Sequence, residues 1–393
     1  MKSPTRNWAW SAVLLLNCCV FSQCLHAQEV KLDPQSPYSA NRSNPVTYQV
    51  DFSVVVTPPY HTKKLQVWFP LPQTDAGQEV TEGDLSNFPL NVKPSINTEP
   101  VFGNRFAYFE FDHPQGAQII RHRFQVKAWE LRWKIDPAQV KPVAKWPEAF
   151  QPYLRNEKNV VEYNDGFESL LASYLPQKSH TVSDFLTALE CAQRSLKYDH
   201  NQASLSASSA FALENRTGHC SDYHGFCAAM GRMLGYPTRV TYGINPFPKN
   251  SPSHCKLEAY LPPYGWVSFD VSETQKLMKD IAKASTLSAD EQKQLQQAAL
   301  DRMFQGFRDN TWFLQTRGTD YALVPPASRR VPVVRTIYAE ADGVALPDPD
   351  PSNTEKREFA WMTIHQYQAD QQVPYPFKDW KTLQATEKNT TNN

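Results

Sequence analysis

A chain of 393 residues has room for two or three domains, and a hydrophobic fraction of 41% can fill their cores. Lys and Arg total 40, as do Asp and Glu, so no charge excess supports a nucleic-acid or anionic-membrane partner. Proline is abundant at 31 and glycine scarce at 14, a balance that favours strands joined by rigid turns.

In chain order, Lys2 and Arg6 precede an apolar run from Ala9 to Leu16, and Leu25-His26-Ala27 offers a small-residue cleavage site before Gln28. Residues 1–27 are therefore expected to be a secretory signal peptide. The run is too short for a membrane span and no second one follows. The mature protein is expected to be exported, periplasmic or extracellular, without stable membrane insertion. Three of the seven cysteines lie in this segment, leaving Cys191, Cys220, Cys227 and Cys255 in one stretch. That clustering points to local chemistry or a local core, with a Cys191–Cys227 or Cys227–Cys255 disulfide allowed by export.

Residues 28–44 read as a polar linker. Alternating runs at 46–56, 64–69, 105–111 and 119–126 predict a β-sandwich over about 44–135. After a Pro-rich connector, 182–197 reads as a helix capped by Thr181 or Ser183, with Phe185, Leu186, Leu189, Ala192 and Leu196 as its stripe. A Ser-rich loop leads to a second amphipathic helix starting near Ser221, with Phe226, Ala229, Met230, Met233 and Leu234 on one face and Gly235 as its stop. Strands follow around 238–243, 255–261 and 266–271, then a helical insert over 276–310. Further strands are expected within 311–375, and a disordered tail over 376–393.

Cys220 stands at the start of the second helix, where unpaired N–H groups and the helix dipole favour a thiolate. Residues 253–274 read as a hairpin in which Cys255, Leu257, Ala259 and Leu261 alternate with His254, Lys256, Glu258 and Tyr260. An odd-numbered turn keeps both apolar faces together. Pairing Tyr260 with Trp266 then sets Asp270 opposite Lys256 and diagonal to His254, with β-carbons roughly 7 Å apart. A cysteine, a histidine and a carboxylate in this order fit a nucleophile, its base and the group that orients the base. Other readings of these residues are a packed thiol and unrelated surface groups. Zinc is a further one, through Cys220, His224 and Cys227 with His219 or His254, although the helix face needs Cys227 for its core and no separate ligand pair stands out. No phosphate-binding glycine motif is present, and no cofactor or metal is expected. Arg232 and Arg239 are read as structural ion-pair partners, and His219 and His224 as bystanders.

The sequence Gly218-His219-Cys220-Ser221-Asp222, with Arg232 to Arg239, resembles the cysteine motif of the transglutaminase-like superfamily. His254 and Glu258, Tyr260-Leu261-Pro262, Tyr264-Gly265-Trp266-Val267 and Phe269-Asp270 resemble its histidine and aspartate motifs. The resemblance covers about residues 180–275. It implies an α+β fold: a papain-like transglutaminase core over about 160–275, preceded by the N-terminal β-sandwich and followed by a strand-rich C-terminal region. It also implies that Cys220 attacks an amide carbonyl of a protein or peptide, that His254 shuttles the proton and that Asp270 orients His254. A thioester would then pass its acyl group to an amine or to water. One departure is Lys256, where many members carry a tryptophan. A second is the lack of an obvious upstream oxyanion donor, for which the Cys220 N–H and Tyr198 are candidates. A papain-type protease proper is disfavoured, because its local cysteine signature is missing. The competing function is a catalytically silent transglutaminase-like scaffold or binding protein.

Overall fold

The computed structural model describes residues 1, 32–177, 179–247, 252–347 and 361–384. The expected signal peptide lies outside the described residues. The N-terminal part is strand-rich: β1 (Asn41–Val56), β2 (Lys64–Leu71), β3 (Gln78–Thr81), β4 (Leu85–Phe88), β5 (Ser95–Thr98), β6 (Arg105–Asp112) and β7 (Gln118–Arg132). Strict alternation makes β1 a strand with one inward face. Val46, Tyr48, Val50, Phe52, Val54 and Val56 are buried while the residues between them are not. Antiparallel pairing with β7 runs from Val46 opposite Ala128 to Val56 opposite Gln118.

Next come α1 (Asp165–Tyr174), α2 (Val182–Ser195), β8 (Lys197–Tyr198), α3 (Ser209–Asn215), β9 (Thr217–Gly218) and α4 (Cys220–Met233). The chain continues through β10 (Thr238–Ile244), β11 (Ser253–Leu261), β12 (Gly265–Phe269), α5 (Val271–Lys283) and α6 (Ala289–Phe304). It closes with β13 (Phe307–Arg308), β14 (Phe313–Arg317), β15 (Tyr338–Ala341), β16 (Val344–Ala345) and β17 (Trp361–Ala369). One sheet has the order β13-β7-β1-β17, with β3 and β4 also on β7, and the other β16-β15-β2-β6-β5. Val50, Phe52, Val67, Phe69, Phe109, Phe124 and Ala339 belong to one core filled from both sheets. Each such buried side chain contributes about 1.5–3 kcal/mol of transfer free energy. The late strands β13, β15, β16 and β17 therefore close back on the two sheets laid down first.

A further sheet has the order β12-β11-β10-β14. Helix α4 packs on β10 and β11 and against α2 and α3. The expected amphipathic helix is in fact buried on every side, from Cys220 through Arg232. A helix enclosed by both a sheet and other helices must bury its polar face too, so Ser221, Asp222, His224 and Arg232 are interior groups. Its end is as expected: Gly235 takes φ +87°.

Two details differ from the sequence reading. The helical insert is two helices, α5 and α6, packed through Leu277, Ile281, Leu295 and Ala299. The tail expected to be disordered from 376 instead packs as far as it is described: Phe377 and Leu383 are buried, and Leu383 joins the α5–α6 cluster. Trp380 and Leu383 meet that cluster and Phe377 packs on Phe307, a signal the polar end of the chain obscures.

Candidate active site

The hairpin forms in the register that patterning predicts. Tyr260 pairs with Trp266 and Leu257 with Phe269. The chain leaves β12 at Asp270, which caps α5 by accepting the Glu273 N–H at 3.0 Å. Asp270 therefore serves two structures at once. Its Oδ1 holds the helix end, while its Oδ2 lies 2.7 Å from His254 Nε2. With Nε2 engaged there, Nδ1 is the remaining nitrogen; it lies 3.9 Å from Glu273 Oε1, and Cys220 and His254 are near enough that each favours the other's charged form.

Cys220 opens α4. His219 is its N-cap: the imidazole accepts the Ser221 N–H at 3.3 Å, and Asp222 accepts the His219 N–H at 3.2 Å. Thus His219 has a structural task, and Asp222 is spent on the helix end and on Ser204. His224, also expected to be a bystander, accepts the Val271 N–H at 3.3 Å and lies 3.7 Å from Asp270. It ties α4 to the first turn of α5, and burial lowers its pKa to about 4, so it is neutral at pH 7.

The parallel pair β8–β9 sets Tyr198 beside Gly218, two residues before the nucleophile candidate. Burial first, and the nearby Cys220 charge next, push the Tyr198 hydroxyl's pKa up. The Lys276 ammonium sits 3.7 Å from the centre of the Tyr198 ring. Tyr198, proposed from sequence on its position alone, is therefore brought to the Cys220 end of α4, where its ring also meets Tyr223 at 5.7 Å.

The electrostatics favour an ion pair. A hydrogen bond from the Cys255 thiol is the largest influence on Cys220; it outweighs burial, and with His254 it holds the Cys220 thiol well below its usual pKa. Burial pushes the His254 imidazolium down, but the Asp270 charge and hydrogen bond raise its pKa to about 9. Burial also opposes the Asp270 carboxylate, and Lys256 with His254 still holds it well below the ordinary range. Cys220, His254 and Asp270 are 6%, 2% and 1% exposed, so these charges act with little screening.

Sequence reasoning missed three residues. Lys256, noticed only as a departure, places its ammonium 2.7 Å from Asp270 Oδ2 and 2.8 Å from Asp309 Oδ1. Asp309, which follows β13, carries no signal in the sequence that would link it to the hairpin. Cys255 was expected simply to pack, yet its Sγ lies 3.5 Å from that of Cys220. All four cysteines among the described residues are free thiols, so neither allowed disulfide is formed. Arg239 and Arg232 are structural as expected: Arg239 bonds Glu258 at 2.7 Å, and Arg232 bonds the Thr238 carbonyl at 3.2 Å and lies 3.5 Å from Glu157.

Residues 171–271 match the family model described as the transglutaminase-like superfamily. A search among curated proteins finds no match. Among solved structures, a candidate cysteine protease from Cytophaga hutchinsonii is similar at 13% identity, over 86% of this chain and 96% of its own, with a TM-score of 0.58. The periplasmic domain of TgpA from Pseudomonas aeruginosa, bound to ethylmercury, aligns at 15% identity over 61% of this chain and 91% of its own, with a TM-score of 0.29. Only the first score indicates a shared overall fold. The helix that carries Cys220 and the hairpin that carries His254 and Asp270 both fall inside residues 171–271, the segment that matches the transglutaminase-like superfamily model.

Proposed function

We propose that the protein is an exported cysteine-dependent acyl transferase or amide hydrolase of the transglutaminase-like class, acting on amides of proteins or peptides. The observation that carries this reading is the His254–Asp270 pair, Nε2 2.7 Å from the carboxylate, on the strand that Cys220 meets at Cys255, 3.5 Å between the sulfurs. In it, the Cys220 thiolate attacks the amide carbonyl carbon, and the carbonyl electron pair moves to oxygen. The Tyr198 hydroxyl, on the strand paired with Gly218, is the proposed side-chain donor for that oxyanion. The oxyanion collapses, the C–N bond breaks, and His254 gives its proton to the leaving amine. The resulting thioester is attacked by an amine or water that His254 deprotonates, which regenerates the thiolate and the imidazolium. Asp270 keeps the ring in the productive tautomer throughout. Export rests on Lys2, Arg6 and the apolar run that follows. No helix among the described residues is long and apolar enough to cross a membrane.

One observation favours the second reading, a catalytically silent scaffold or binding protein. On the histidine side, the space lined by His254, Lys256, Glu273 and Asp309 is closed by Tyr375 and Phe377 to about 10 Å³, room for a single water at most. Two measurements on the mature protein separate the readings. A thiol probe should label Cys220 at neutral pH, and label it less in His254→Ala; equal labelling removes the activated thiolate. A glutamine peptide with a primary amine, weighed by mass spectrometry, should give an amine adduct for a transferase and free acid or cleaved peptide for a hydrolase. No product from wild type, or the same product from Cys220→Ser, supports the silent scaffold.

A further inference from the structure

Acyl transfer needs one thiol, but the site holds two. Cys255 Sγ is 3.5 Å from Cys220 Sγ, and Cys255 is fully buried. The topology explains how the Cys220 sulfur reaches the strand that carries His254 and Cys255. β12 pairs with β11 only as far as Leu257 opposite Phe269, so beyond that point this edge of β11 carries no strand. The first residue of α4 reaches Cys255 there, the neighbour of His254. On the other side Tyr242 of β10 pairs with Cys255, which ties its backbone into the sheet.

We infer that Cys220 and Cys255 form a redox-modification site, at which a hydroperoxide converts the two thiols to a reversible disulfide. The chemistry balances. The Cys220 thiolate attacks the peroxide oxygen, the O–O bond breaks, and the hydroxide released takes the His254 proton and leaves as water. Cys220 is now a sulfenic acid. The Cys255 sulfur attacks that sulfur and the S–O bond breaks. Hydroxide leaves with the Cys255 proton as a second water. Two thiols have lost two electrons, and the peroxide has gained them. The sulfurs close from 3.5 Å to about 2.05 Å, a shift that side-chain rotation and small helix movement supply.

The two sulfurs differ in the way the reaction requires. Cys220 is the first residue of α4, where the helix N-terminus favours a thiolate, so it is the nucleophile; Cys255 lies inside β11, and burial with the neighbouring sulfur pushes its thiol pKa up. Cys227, buried on the same helix, has its thiol pushed up by burial alone. The disulfide blocks the nucleophile, and it also protects Cys220 from irreversible oxidation to the sulfinic or sulfonic acid.

The test oxidises the full mature protein with hydrogen peroxide and reads mass, not amide turnover. Its failure is therefore distinct from failure of the acyl-transfer reading. Wild type should lose about 2 Da, yield a Cys220–Cys255 cross-linked peptide on non-reducing digestion, and return to its starting mass with dithiothreitol. Cys255→Ser should instead bind dimedone at Cys220 and then gain about 32 to 48 Da irreversibly. Cys191→Ser and Cys227→Ser should cross-link as wild type does. Wild type that reaches the sulfinic acid at Cys220 without the cross-linked peptide would overturn the inference. So would a disulfide formed with Cys191 or Cys227.

Discussion

Lys256→Met is the sharpest probe of the charges behind the site. Its ammonium is 1% exposed and bridges two carboxylates, Asp270 at 2.7 Å and Asp309 at 2.8 Å. Methionine keeps the volume and removes the charge. Asp270 retains His254 and the Glu273 N–H. Asp309, 2% exposed, is left with the Thr311 hydroxyl. An uncompensated buried carboxylate of this kind costs about 3–5 kcal/mol. The sign of the pH dependence follows. In wild type burial opposes the Asp309 carboxylate, but Lys256 wins and holds its pKa down. That stability is present above the unfolded carboxylate range and is lost as pH falls through the folded value. In the variant only the Thr311 hydroxyl opposes burial, the folded pKa rises above the unfolded one, and the deficit shrinks as pH drops below about 5. Urea unfolding followed by tryptophan fluorescence should show the full loss at pH 7 and a smaller one at pH 4.5. Lys256→Met with Asp309→Asn should recover most of it. An unchanged unfolding midpoint at pH 7, or no recovery in the double variant, refutes the placement of a charged lysine between the two acids.

Four further outcomes are expected. In His254→Ala the rate of Cys220 alkylation by iodoacetamide at pH 7 should fall by up to about 30-fold, the limit set by the few per cent of thiolate in an ordinary cysteine. If the reaction occurs, amide turnover should fall as pH rises through about 9, because His254 then loses the proton it must donate; the folding stability of the charged imidazolium, fully present below about pH 6.5, fades over the same range. Tyr198→Phe should lower kcat by about 10²–10³ with KM little changed, read in steady-state assays with urea unfolding as the folding control. Gly243→Ala should cost about 1–3 kcal/mol or more in the same unfolding assay. Its added carbon would meet the Phe313 carbonyl at 2.2 Å and the Trp312 ring at 2.4 Å, the ring whose N–H bonds the His254 carbonyl at 3.1 Å.

Local sequence determined a good deal about this protein. The alternation of β1 set its inward face, and the two apolar faces of the 253–274 hairpin allowed the register that sets His254 near Asp270. Such features are legible because each depends on residues a few positions apart, where period and turn length restrict the choices. Tertiary structure alone decided the rest. Lys256 meets Asp309, Cys220 meets Cys255, and α4 buries its polar residues because sheet and helices enclose it. The late strands complete the early sheets for the same kind of reason. Those contacts join segments far apart in the chain, and a lysine or a thiol looks the same in sequence whether it faces water or a buried partner. Its ionisation, and with it its chemistry, is settled only once the fold removes the water and supplies the partner.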